Sequence, residues 1–548
     1  MRSTSGKLFI ACLTALWLSM AASTLASSNP LLSVAGSSWR RDGLIAESAL
    51  LLFAFIAAAW FAEDQRRIRT VLRVATITGA AASLYGIAQY FGWDPLLPSK
   101  AYQSGEGIFT IVRPPGTFGH ADYFASWLVM VEFFALALRG LDDNRRWRAT
   151  ADIAMALAAF AIVLSGTRSA MLGLLFGGLV FIGMARPRLH RMGMLLLIAS
   201  AACLGLLYVS PAGAKLRARV HWSLDDVRGG ARLILWRDSL RMAMGRPLLG
   251  YGPETFTAQF PPFESVELSQ AYPDFYQESP HNMFLDALTS RGLPGALSLL
   301  ALCALGLWSA RKNAALAAGL AAAIVCQQFM VLTIPTALYF YLLLAMLVAG
   351  TTTPHLSEPR KYPRALVPVT ATIAIIWVVF AACLTVADRS MALAERRIES
   401  GDVAGASVAY RTVQRWEPAG GASDLRYSRA MTRLASTTPV FATSIAAAAE
   451  ATEAGVRATK TAEDRQNAWY NLATIDALRN DPRGVENGLR NAIKCAPNWF
   501  KPHWTLSQVL ELTGRHAEAR REATIALELD GGHDPEVAAT SKKILSSP

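Results

Sequence analysis

Residues 279–295 read Ser-Pro-His-Asn-Met-Phe-Leu-Asp-Ala-Leu-Thr-Ser-Arg-Gly-Leu-Pro-Gly, with one histidine where a long polar loop gives way to an apolar run. His281 is the candidate general base. Ser279 suits a helix cap and Pro280 the first helical position, which puts His281 in the first turn. The positive end of that helix and the nearby arginines disfavour imidazolium. A neutral imidazole can take the proton of a hydroxyl group. Lone histidines are more often structural, and that reading stands beside the catalytic one.

The arginines suggest what such a base would act beside. Segment 210–249 holds Lys215, Arg217, Arg219, Arg228, Arg232, Arg237, Arg241 and Arg246 against Asp225, Asp226 and Asp238. One reading is a solvated or headgroup-facing helix. The other is an anion site, because the guanidinium fork matches phosphate oxygens. A helix over Ala231–Gly245 puts Arg232 and Trp236 on one face, with Arg237 and Arg241 together on another. Arg168, in Ser165-Gly-Thr-Arg-Ser169, lies between two apolar runs joined by almost no loop, where an ionisable group is a functional candidate by default. Arg113, in Arg113-Pro-Pro-Gly-Thr-Phe-Gly-His120, is either a ligand contact or a donor to loop carbonyls. Beyond the turn at Gly250-Tyr-Gly-Pro253 come Phe256, Phe260, Phe263, Tyr272, Phe275 and Tyr276. They are interface anchors or stacking platforms for sugar rings.

These residues need a scaffold, and composition identifies it. The 548-residue chain is 53% hydrophobic and only 17% charged, too apolar for a soluble enzyme. About eleven apolar runs can span a roughly 30 Å hydrocarbon core, at 8–26, 44–62, 70–91, 121–138, 149–165, 169–185, 192–209, 293–310, 314–334, 336–350 and 365–387. Every second connection is basic: Arg66 to Arg73, Arg139 to Arg148, Arg186 to Arg191, Arg311-Lys312 and Arg360 to Arg364. By the positive-inside rule these face the cytoplasm. The connections at 92–120, 165–168 and 210–291, and everything after 387, are then extracytoplasmic. The first run is a span or a cleaved signal peptide, since 22–28 is rich in small residues. The net charge of +12 follows from this topology and is no sign of nucleic-acid binding.

After residue 387 the pattern turns alanine-rich and helical, and it repeats at 34 residues. Trp469, Leu472, Ala473, Leu489 and Ala492 recur as His503, Leu506, Ser507, Ala523 and Ala526. An earlier unit fits Leu393, Ala394, Ala406, Tyr410 and Pro418, with Gly401-Asp402 at its turn. The period is that of tetratricopeptide (TPR) repeats, which bind a protein partner or brace a neighbour; a plain helical cap is the alternative. The expected fold is therefore all-α. A polytopic transmembrane helical bundle fills 1–387 with a large outer loop at 210–291, and a TPR-like α-solenoid fills 388–548. Cysteine spacing suggests no metal site, and no cofactor is implied.

Several motifs together resemble the O-antigen ligase and O-antigen polymerase (Wzy-type) family. They are Arg232-Leu-Ile-Leu-Trp236, Pro247-Leu-Leu-Gly-Tyr-Gly-Pro-Glu-Thr-Phe256, and His281-Asn282 with Gly292 and Gly295, preceded by Gly116-Thr-Phe-Gly119 and Ser165-Gly-Thr-Arg168. His120-Ala-Asp122 departs from the family pattern, leaving the roles of His120 and Asp122 open. The resemblance implies a metal-independent, inverting glycosyltransferase of GT-C-like architecture in the bacterial inner membrane, its tail in the periplasm. Its donor would be a glycan on polyprenyl (undecaprenyl) diphosphate. Arg232, Arg168 and Arg113 would hold the diphosphate, and His281 would activate the acceptor. Asn282, Tyr251, Phe256 and Glu254 would contact acceptor or glycan. The acceptor would be lipid A-core, a growing glycan or a protein hydroxyl. Glu254, Glu278 and Asp122 are the carboxylates to consider if His281 is not the base. A membrane scaffold or glycan-lipid transporter is the reading from another class, though no internally repeated half supports a transporter.

Overall fold

The computed structural model describes residues 3–98, 101–104, 111–185, 202, 205–206, 208–225, 230–310, 313–351 and 366–547. The protein is all-α. Among the described residues the strands are two-residue β1 (Gln103–Ser104) and β2 (Ile111–Val112), paired antiparallel. The chain forms two compact units. The first comprises Met1–Ala21, Ala46–Arg232 and Pro280–Leu356; the second comprises Ala22–Ile45, Leu233–Ser279 and Ser357–Pro548.

The first unit is built on apolar helices α1 (Thr4–Leu25), α2 (Leu44–Glu63), α3 (Arg66–Tyr90), α4 (Ala121–Leu141), α5 (Arg145–Ser165), α6 (Arg168–Ala185), α7 (Met283–Ser309), α8 (Ala314–Cys326) and α9 (Ile334–Ala349). Helix α4 is its centre, packed against α3, α5, α6, α8 and α9. Phe124, Leu128, Val131, Phe134 and Leu138 of α4 are fully buried. Gly79 of α3 permits the closer of its two approaches to α4: a Cβ there would lie 2.1 Å from Val131 Cγ1, and one at Gly86 2.6 Å from the Phe124 ring. Small residues at such crossings are how membrane helices gain van der Waals contact.

Among the described residues eight helices are long and apolar enough to cross a membrane: α1 to α7, and Ala371–Glu399 of the helix α10 (Leu366–Glu399). The expected eleven differ for stated reasons. Run 192–209 lies largely outside the described residues. Run 314–334 is not one helix, because α8 ends at Cys326 before Gln327-Gln328, and α9 restarts at Ile334-Pro335. With 13 and 16 residues, α8 and α9 rise only about 20 and 24 Å.

Helix α7 is broken at Gly292, whose φ of 68° and ψ of −171° suit glycine alone. Beside the break lies an ionic group that the sequence did not announce. Buried Arg291 pairs with buried Glu47 of α2 at 3.5 Å, and Tyr341 of α9 donates its hydroxyl to the same Glu47 oxygen at 2.7 Å. A charge inside such a bundle needs a partner of this kind.

The second unit joins segments 22–45 and 233–279 to the helices of the tail. Helix α10 runs without interruption past 387, so no break in structure marks that position. Then follow α11 (Val403–Trp416), α12 (Ser423–Thr437), α13 (Phe441–Thr461), α14 (Arg465–Leu478), α15 (Pro482–Cys495), α16 (Phe500–Leu512), α17 (His516–Asp530) and α18 (Pro535–Ser546), each packed on its sequence neighbour. Residues 34 apart in sequence occupy matching places. Ala473, Leu489 and Ala492 are buried in the α14–α15 hairpin, as are Ser507, Ala523 and Ala526 in α16–α17. The loop binds this array directly: Asn498 donates to the Glu264 carbonyl at 2.6 Å, and Gln270 to the Glu528 carbonyl at 2.7 Å.

Candidate functional site

Asp122 gathers four of the residues in question. It is the second residue of α4, whose N-cap is His120. The α5–α6 connection is a two-residue turn, with Gly166 left-handed at φ 64° and the Thr167 N–H bonded to Ser165 Oγ at 3.2 Å. That turn aims the Thr167 hydroxyl at Asp122 Oδ1, to which it donates at 2.8 Å. Arg113, just past β2, forms an ion pair with the same oxygen and approaches the Ser165 carbonyl at 3.5 Å. The positive charge of Arg232 also acts on Asp122. Arg168 follows Thr167 as the first residue of α6. The loop after β2 and the α5–α6 turn thus meet at one carboxylate, within the electrostatic reach of Arg232 at the start of helix Arg232–Gly245.

His120 caps α4. Its Nδ1 accepts the Asp122 backbone N–H at 3.2 Å, so a neutral ring carries its proton on Nε2. Burial holds the imidazole below its usual range; Asp122 opposes this and Arg113 reinforces it.

His281 sits differently from its expected place. Asn282, not Ser279, caps the helix: its Oδ1 accepts from the Phe284 and Leu285 N–H groups at 3.0 and 3.1 Å. His281 therefore precedes the helix, half-buried and left-handed at φ 49°, outside the first turn. The cap wins because an Asx side chain can satisfy two N–H groups that proline and serine upstream cannot reach. A non-glycine residue at positive φ stores roughly 1–3 kcal/mol of strain, which persists only where neighbours fix it. Here they do: Asn282 Nδ2 donates to the Gln328 side-chain oxygen at 3.1 Å, and the Met283 N–H to the Gln327 carbonyl at 2.9 Å. The α8–α9 connection thus fixes the backbone immediately after His281. Asn282, expected at the acceptor, spends its amide on this structural task.

The remaining contact candidates belong to the second unit and have partners of their own. Buried Glu254 accepts from Arg40 Nε at 2.6 Å, the Ser37 hydroxyl and the Ser37 N–H. These hold it below the usual carboxylate range although burial pushes the other way. Tyr251 lies under Arg246, 5.0 Å from ring centroid to guanidinium. Phe256 is buried and stacked on Phe260, centroids 4.6 Å apart. None of the three is an open contact surface. Arg237 and Arg241 likewise serve structure, both pairing with fully buried Asp238. Glu278 is pushed up by burial, against the pull of Arg40.

Residues 153–300 match the family model described as O-antigen ligase. The likeness to the O-antigen ligase family is carried by that segment. The match contains Thr167, Arg168, Arg232, His281 and Asn282 but neither Arg113 nor Asp122, which the fold brings to Thr167 from outside it. No curated protein and no solved structure matches the chain. The match and the apolar helices support a multi-pass membrane protein with a ligase or glycosyltransferase-like role in polysaccharide biosynthesis. The sequence offered Asp122 only as an alternative base and not as an anchor for arginines, because an acid in the first turn of a helix is ordinary dipole compensation. Thr167 was passed over for its charged neighbour. Among the described residues no three His, Cys, Asp or Glu side chains gather as a ligand set for a metal ion.

Proposed function

We propose that this protein transfers a glycan from a polyprenyl diphosphate carrier to an acceptor hydroxyl at the outer face of the inner membrane. The observation that carries the reading is the convergence of Arg113, Arg232 and the Thr167-Arg168 turn on Asp122. Two guanidinium groups act on one carboxylate, so the set is not neutral by itself. Arg168 adds a third at the start of α6, where the helix dipole also favours an anion. A diphosphate is the ligand whose geometry and charge such a set fits.

The chemistry follows from that charge. The acceptor oxygen bonds to the anomeric carbon of the glycan as the bond from that carbon to the diphosphate oxygen breaks. The electron pair goes to the diphosphate, where fixed arginines stabilise it in the role a divalent ion plays in other transferases. One displacement inverts the anomeric centre. The acceptor proton goes to His281, held at the start of α7. Asp122 keeps the arginine heads in place between turnovers. The acceptor class is lipid A-core, with a growing glycan or a protein hydroxyl as alternatives, and the tail helices act as a TPR-like protein-binding or bracing array.

The test is reconstitution. Purified protein, a polyprenyl-diphosphate glycan and one acceptor class at a time should give a glycosylated product with lipid A-core. Turnover should survive EDTA. No product with any of the three acceptors would refute the proposal.

A further inference from the structure

The second unit contains a cleft of about 440 Å³ lined by none of the residues gathered at Asp122. One wall is the stretch after the short helix Val266–Ala271; the other is α14 with the turn entering α16. The aromatic run of the outer loop divides here. Phe256 goes to the core and Phe260 is buried at the cleft's floor, whereas Tyr272, Phe275 and Tyr276 remain 38%, 56% and 41% exposed and line the cleft. Opposite them Tyr470 and Trp499 form a tilted pair with centroids 5.1 Å apart. Five rings left open in one hollow are costly in water unless something covers them.

The polar lining narrows what that is. Gln277 is only 6% exposed, lines the cleft, and its Nε2 has no hydrogen-bond partner. A buried donor left unsatisfied is destabilising until a ligand accepts from it. Both cations of the lining have acidic partners: Lys501 pairs with Asp274, to which Trp499 Nε1 also donates at 3.3 Å, and Arg429 acts on Asp464. The Glu264 carboxyl, pushed up to about 8 by burial and then by Asp238, stays protonated near neutral pH. This lining does not suit a phosphate. Nor does it offer a strand edge or a deep apolar hole, the usual features that hold a peptide. Rings flanked by amides suit a ligand with C–H faces on one side and hydroxyl groups around the rim.

We propose that this cleft is a glycan-binding site, in which saccharide rings stack on Tyr272, Tyr276 and Trp499 and Gln277 donates to a sugar oxygen. It rests on the glycan-transfer reading only for which glycan arrives, since binding itself requires no turnover.

The probe is glycan released by mild acid from the host's own polyprenyl-diphosphate pool, titrated onto the purified full-length protein. Binding should weaken about tenfold or more in Tyr276→Ala, Trp499→Ala and Gln277→Ala. Tyr276 is exposed enough for Tyr276→Leu to serve if the alanine variant is poorly folded. In the transfer assay the same variants should raise KM for the substrate that fills the cleft while kcat holds; a raised donor KM identifies the donor glycan, a raised acceptor KM the acceptor. Absence of glycan binding, or equal binding by all variants, overturns the proposal. So does a hexapeptide of mixed sequence that binds the cleft when the glycan does not. If glycan binds and no transfer is found with any acceptor, the cleft reading stands and the transfer reading falls.

Discussion

Thr167 donates its hydroxyl hydrogen to Asp122 Oδ1 across 2.8 Å, tying the α5–α6 turn to the first turn of α4. Through this bond the arginine after Thr167 and the arginine paired with Asp122 share one anchor. Asp122→Asn keeps a polar group for Thr167 but removes the charge that pairs with Arg113 and attracts Arg232. Turnover should fall about 100-fold, the scale of a 1 Å misplacement, with membrane abundance unchanged. Thr167→Val should cost less, because the ion pair survives it. Equal turnover in Asp122→Asn and wild type would make the cluster a packing device only.

If the arginines grip a diphosphate, a point charge cannot replace the fork. Arg168→Lys and Arg232→Lys should each lower kcat/KM for the lipid-linked donor at normal protein abundance. Arg237→Lys is the internal contrast, since Arg237 is engaged with Asp238, Glu267 and Ser265, and its donor kinetics should stay near wild type. Full activity in both Arg168→Lys and Arg232→Lys would leave those two arginines with structural roles.

General-base assistance is worth about 10²–10⁴-fold in rate, and His281→Ala should lose that much turnover while still binding donor. The positive φ of His281 supplies a sharper comparison. Asparagine tolerates this conformation well, so His281→Asn preserves the backbone without a useful proton acceptor. It should be as inactive as His281→Gln. Wild-type turnover in the asparagine variant would mean that His281 supplies only geometry.

Burial pushes the Glu264 and Glu463 carboxyls up to about 8; Asp238 adds to the first, and Glu254 and Asp464 to the second, against the Ser38 N–H. In an unfolded chain a glutamate ionises near 4.3. Between these values the folded protein holds protons that the unfolded chain has released. The associated stability is complete below the unfolded value and is lost as pH rises through about 8. The apparent Tm of purified protein should therefore fall from pH 5 to pH 8. The Glu264→Gln/Glu463→Gln double variant should show a shallower fall. An unchanged slope would count against neutral carboxyls at these two positions.

The charge alternation puts the outer loop and the tail outside the cytoplasm. Leu248 and Leu512 are 67% and 87% exposed, so Leu248→Cys and Leu512→Cys, each in a Cys495→Ser background, are accessible reporters. A membrane-impermeant maleimide should label both without permeabilising the inner membrane. Labelling only after permeabilisation would reverse the topology and the side on which transfer is proposed.

The sequence by itself determined the class. Apolar run length is set by bilayer thickness, so the long spans α2 to α6 were legible as hydropathy alone. The arginines were legible as candidates because guanidinium near a membrane needs a reason. The 34-residue period was legible because two successive hairpins of the tail bury residues at matching positions. Only the tertiary structure decided which residues meet. Asp122 and Thr167 are 45 positions apart, and nothing local distinguishes Asp122 from any acid at a helix start. Glu47, Arg291 and Tyr341 are joined across three helices, a pairing that local pattern cannot register. The aromatic loop read as one run, yet Phe256 went to the core and Tyr276 to the cleft, because the packing of that loop on the tail decides which rings are covered. The cap at Asn282 was a local contest that Ser279 was expected to win. It went to Asn282 because Gln327 and Gln328, 46 residues further on, anchor the chain at that point.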